Sequence, residues 1–124
     1  MSLRRLEFLQ WFGFLAGGSI WFLSFLGGIG TSQAVCNPGS RRFGIPYDTV
    51  ALALGGFALL CLAAAEVAAF FVFRAVRTAE EQGPPPSARL KFFAVASLGA
   101  NVIFAMIVVL STIATVVDRT CHQL

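Results

Sequence analysis

An all-α integral membrane protein of three transmembrane helices is the fold this sequence predicts, with its N-terminus in the cytoplasm and its C-terminus on the opposite side. Three observations carry that reading. Hydrophobic residues make up 57% of the chain, charged residues only 12%, and the mean hydropathy is +0.80, a balance that no water-soluble globule needs. The apolar residues fall into three runs, at about 8–29, 50–73 and 92–117, and each reaches the ~20 residues that cross a hydrocarbon core of about 30 Å. Basic residues then set the orientation. Arg4, Arg5, Arg74, Arg77, Arg89 and Lys91 lie before the first run or between the second and third, whereas only Arg41, Arg42 and Arg119 lie on the other side. No internal repeat divides the 124 residues, so 1–124 is read as a single three-helix domain.

The first run begins after Arg4-Arg5, a layout that a signal peptide shares, and Ser32-Gln33-Ala34 has the small-x-small form of a cleavage site. Its length, about 22 residues against the 7–15 of a signal peptide's apolar region, favours a retained span. Gly13 and Gly17 form a GxxxG, and Ser24 and Gly28 repeat the small-xxx-small spacing, the pattern that lets helix backbones approach in a membrane. Trp11 and Trp21 supply bulk toward lipid or neighbouring subunits.

Gly30 to Tyr47 reads as a polar loop, with a turn at Asn37-Pro38-Gly39, and Arg74 to Lys91 as a second connection broken by Gly83-Pro84-Pro85-Pro86. The net charge of +3 raises a nucleic-acid reading. The arginines sit at span ends and form no single basic face, so topology accounts for them and nucleic acid is not an expected partner. The third run is about 26 residues long and rises ~39 Å as a helix, which requires tilt or an extension beyond the bilayer.

One carboxylate, Glu66, interrupts the second run, at a cost of roughly 2.5–3.5 kcal/mol on insertion scales. Depth arithmetic finds it company. Counted from Arg74, Glu66 lies about 12 Å up; counted from Lys91 along the next helix, Ser97 lies about 9 Å up and Asn101 about 15 Å. A short connection makes these helices antiparallel neighbours, so Glu66, Asn101 and Ser97 are expected to form one polar cluster, with hydrogen bonds from Asn101 or Ser97 to the carboxyl. Gly55, Ala63 and Ala69 on the same helix are expected to admit close packing, together with Gly13 and Gly17.

The predicted topology places Cys36 and Cys121 on one non-cytoplasmic side, each a few residues beyond a helix end, and predicts a disulfide between them in an oxidising space. Cys61 lies within the second span. Cys36, Cys121 and His122 form a competing metal-ligand set, short of the fourth ligand that a closed site wants. There is no CxxCH, no HExxH and no Ser/His/Asp grouping, and no catalytic residue is assigned.

A glycine-bearing first helix with Trp21, the loop Cys36-Asn37-Pro38-Gly39, two further helices and a terminal Cys121 together resemble the small bacterial membrane proteins that accompany cytochrome c oxidases of the haem–copper superfamily. The resemblance is one of pattern and covers most of the chain. It implies a non-catalytic accessory subunit or assembly helper of a respiratory complex in the bacterial inner membrane, with other membrane subunits and lipids as partners. Haem or copper would then reside in partner subunits. Members often carry a polar residue, commonly His, in the first helix; this chain has Ser19 and Ser24 there, and no haem or copper role carries over. Two alternatives come from the residues alone: a homo-oligomeric proton-coupled transporter or channel using Glu66, and a metal-handling assembly factor using Cys36, Cys121 and His122.

Overall fold

In a computed structural model the chain forms three long α-helices, α1 (Leu3–Cys36), α2 (Tyr47–Val76) and α3 (Ser87–Val117). Residues 2–36, 47–78 and 87–117 are described, with side chains for 2–33, 48–78 and 87–117, and no strand occurs among them. All three helices are long and apolar enough to cross a membrane, and the chain is read as an integral membrane protein on that ground.

The helices outrun the apolar segments that predicted them. α1 continues seven residues past Ile29, so Gly30–Cys36 is helix and not the first part of a loop. Its 34 residues rise about 51 Å, well beyond a ~30 Å core. Within the extension Thr31 turns its hydroxyl back onto Gly27 O at 2.7 Å, the bond a helical threonine makes to its own backbone. α2 carries Asp48 in its first turn and Arg74 in its last, where the helix dipole favours each charge. α3 starts immediately after the proline run that cannot continue a helix.

Contacts fix the register. Along α1, Gly13 lies against Ala65 and Ala69, Gly17 against Leu62, and Gly27 against Leu54, so α2 runs antiparallel to α1. Glu7 meets Arg89, Phe14 meets Phe93, and Trp21 meets Phe104, so α3 runs parallel to α1. The inward residues of α3, Leu90, Ala94, Ser97, Asn101 and Val108, follow the seven-residue spacing of helices that cross at a shallow angle.

Two apolar layers result. Near the N-terminal end, Val72, Val76, Leu90 and Ala94 are buried under Leu6, Leu9 and Phe73. Past mid-bundle, Ala58, Leu62 and Val108 are buried under Ile20, Trp21, Leu59, Phe104 and Ala105. The site lies between them.

Candidate functional site

Asn101 is the centre of the polar level. It is 2% exposed, and its amide nitrogen donates to the backbone carbonyl of Gly13 at 3.0 Å. This bond ties α3 to α1 and depends on a glycine: a side chain at Gly17, one turn on, would run into Asn101 Oδ1. Gly13 meets α2 equally closely, since a Cβ there would lie 3.2 Å from Ala65 O, Ala69 N and Ala69 Cβ. Because two of those three atoms are backbone, no rotamer change relieves the contact. The GxxxG is thus the seam on which both other helices close.

Glu66 lies at this same level of α2, next to Ala65, with the Asn101 side chain as its polar neighbour. The residue as a whole is half-buried, yet its Oε2 is enclosed and has no hydrogen-bond partner among the described residues. Asn101 Oδ1 is likewise enclosed and unpartnered. Ser97, 1% exposed and one turn toward the N-terminal end, donates to Phe93 O of its own helix at 2.6 Å, the usual resort of a helical serine.

A fourth residue belongs here that the sequence reading passed over. Gln10 is 1% exposed, and both polar atoms of its side chain lack partners among the described residues. Leu6, Gln10, Gly13 and Gly17 follow spacings of four, three and four, one face of one helix. That spacing was the available signal. Gln10 lies about 4.5 Å before Gly13, and Ser97 about 6 Å before Asn101, so the two share a level just below the Glu66–Asn101 pair.

The remaining expectations divide. Ala69 and Gly55 are buried, Gly55 so tightly that a Cβ would collide with the Thr112 hydroxyl and lie 2.9 Å from its methyl. Ala63 is a correction: it is exposed, on the face of α2 opposite the packed one, because the inward positions are 62, 65 and 69. Ser24 and Gly28 line a cavity and form no helix seam. Cys36 ends α1 with its side chain outside the described set, and Cys121 and His122 lie outside the described residues, as does the predicted disulfide. Cys61 is a half-buried free thiol on α2. Among the described residues no group of three or more His, Cys, Asp or Glu side chains is placed to hold a metal ion.

Neither the sequence nor the structure matches a known protein family, a curated protein or a solved structure. The site therefore has to be read from its own chemistry. It holds enclosed amide and carboxyl oxygens and an amide N–H from Gln10 and, among the described residues, no nucleophile with an adjacent base. Apolar layers close it above and below along the bundle axis.

Proposed function

We propose that the chain is a non-catalytic accessory subunit of a larger membrane complex, which it stabilises or helps to assemble. The observation that carries this reading is the double-sided character of α2. One face, with Gly55, Ala58, Ala65 and Ala69, packs against α1 and α3. The opposite face presents Ala53, Gly56, Ala63 and Ala64, all exposed, and a Cβ on Gly56 would meet nothing within 4 Å. These small residues are set among the exposed Leu52, Phe57, Leu60 and Val67 of the same face, an uneven apolar surface that suits packing against a partner helix in a membrane. The resemblance drawn from the sequence implies a respiratory host complex of cytochrome oxidase type in the bacterial inner membrane, in which haem or copper would reside in other subunits, and the Lys/Arg bias orients the N-terminus to the cytoplasm.

The second reading, a homo-oligomeric proton-coupled transporter using Glu66, is favoured by the unpartnered polar atoms of Gln10, Glu66 and Asn101. Against it stands the enclosure of that level between two apolar layers, which leaves a single bundle without a polar route along its axis among the described residues.

Purification in mild detergent separates the two. Co-migration with other membrane subunits supports the accessory reading, and a particle containing only this chain, in several copies, overturns it. Glu66→Gln keeps the hydrogen-bonding shape and removes the charge; the variant is expected to co-purify normally and leave host activity intact, and a normally assembled but inactive complex favours the proton-coupled reading.

A further inference from the structure

At the end of the bundle away from the N-terminus, the three helices line a half-open cavity of about 330 Å³, inside the ~300–1,000 Å³ range of small-molecule sites. Its deep end is apolar, formed by Trp21, Phe25, Leu54 and Val108. Trp21 is held there by Phe104 of α3, with ring centroids 5.5 Å apart, and by Phe25 one turn on along α1, at 6.0 Å. Its outer end is polar, with Ser32, Gln33 and Thr115 at the rim. Among the described residues that line it, none is charged. Gly28 keeps one wall open, since a Cβ there would meet nothing within 4 Å.

The threonine hydroxyls on its walls have a defined polarity. Thr31 donates to Gly27 O at 2.7 Å, Thr112 to Val108 O at 2.7 Å and Thr115 to Ser111 O at 2.8 Å. A hydroxyl that has given its proton to its own helix keeps its lone pairs, so Thr31, Thr112 and Thr115 present acceptors to the cavity, beside the Ser24, Ser32 and Ser111 hydroxyls and the Gln33 amide, which can also donate. A carboxylate finds no charged partner among the described lining residues, where an unpaired charge is costly. A phospholipid phosphate finds no cation among these residues.

We propose that this cavity binds an uncharged, chain-bearing amphiphile whose head donates a hydrogen bond, with its tail toward Trp21 and its hydroxyl among Thr31, Thr112 and Thr115. The proposal does not rest on the accessory-subunit reading, because it uses a different part of the molecule.

Photolabelling of the full chain in lipid nanodiscs tests it, with a diazirine-bearing octanol as the probe and the matching octanoate, ionised at pH 8, as comparison. Labelling at Leu54 and Val108 is normalised to that at Leu110, an outward-facing residue. The alcohol is expected to label the cavity residues about tenfold more than octanoate does, and unlabelled octanol to compete. Gly28→Phe fills the open space and is expected to bring cavity labelling down to the outward level with helical content unchanged. Thr112→Val, which keeps the shape and removes an acceptor, is expected to narrow the preference for alcohol over acid even if Gly28→Phe fails to fold. Equal labelling by alcohol and acid, no labelling above the outward level, or full labelling of a folded Gly28→Phe overturns the proposal.

Discussion

Two pairs of small residues on α1, at the same spacing, meet opposite fates. Gly13 and Gly17 are buried in the seam with α2 and α3, whereas Ser24 and Gly28 face a cavity. What separates them is the residue across the gap. Opposite Gly13 stand Ala65 and Ala69, themselves small, so the backbones meet. At the level of Ser24 and Gly28 the close contacts are made by other residues, Gly27 against Leu54 and Gly55 against Thr112, and no small residue of α2 or α3 meets Gly28, which is left facing the cavity beside Trp21 and Phe25. A small-xxx-small motif is thus half of a contact, and the other half is decided on another helix.

The largest test of that contrast is to add the same side chain at both sites. Gly13→Leu drives carbon into the α2 backbone at Ala65 and Ala69 and is expected to destabilise the bundle by about 3 kcal/mol, the upper end of ordinary overpacking. Gly28→Leu enters open space and removes a helix glycine, so it is expected to be neutral or to stabilise by about 0.5–1 kcal/mol. Unfolding in mixed micelles by SDS titration measures both. Equal losses at the two sites would break the distinction.

Next in size is Asn101→Ala. It removes the bond to Gly13 O and the polar neighbour of Glu66, and with the lost volume is expected to cost about 2 kcal/mol. The same change should relieve its neighbour. Gly17→Ala collides with Asn101 Oδ1 in the parent chain, and its penalty is expected to vanish in the Asn101→Ala background, a coupling that a double-mutant cycle reads directly. An unchanged Gly17→Ala penalty would show that another group closes the seam.

These residues also show what the sequence made legible. Three apolar runs, with every charge but Glu66 at or beyond their ends, determined the helices and their neighbours, because span length and backbone satisfaction leave a chain this apolar few alternatives. Depth arithmetic brought Glu66 and Asn101 to one level, because rise per residue is nearly constant. Rotation was harder to read. Ala63 and Ala69 flank Glu66 at equal distances in sequence, yet only Ala69 faces the bundle, since the inward face is set by which helices surround α2. The hydrogen-bond partner of Asn101 was out of reach as well, because it is a backbone carbonyl, exposed to a side chain only where Gly13 and Gly17 let the helices close. Gln10 was passed over for a related reason: polarity near a span end reads as interfacial, and only the register with Gly13 shows that it points inward.

Gln10 gives the third test, smaller and opposite in sign. Both of its side-chain polar atoms are enclosed without partners among the described residues. Replacing such a group by an apolar one of similar shape removes a desolvation cost, so Gln10→Met is expected to stabilise the isolated bundle by about 1 kcal/mol. A loss of similar size would mean that Gln10 has a hydrogen-bonding partner in the membrane, from water or from another subunit. The polar level would then be completed by its surroundings, in contrast to the seam at Gly13, which the chain completes alone.

The smallest effect is expected at the Glu7–Arg89 pair, 2.8 Å apart at the N-terminal end of the bundle, where it joins α1 to α3 outside both apolar layers. The side chains are 39% and 46% exposed, so water and salt screen them, and Arg89→Ala is expected to cost no more than about 0.5 kcal/mol in detergent, falling further as salt rises. The informative comparison is with the native membrane. A subunit seated over this end would shield the pair from solvent and leave Glu7 buried and alone when Arg89 is removed, a loss of about 3–5 kcal/mol for a buried pair that is broken. Stability of Arg89→Ala followed by proteolysis in native membranes and in detergent therefore reads whether this end is covered. Equal, small losses in both settings leave the end facing solvent and place any partner elsewhere, with the outward face of α2 the remaining candidate.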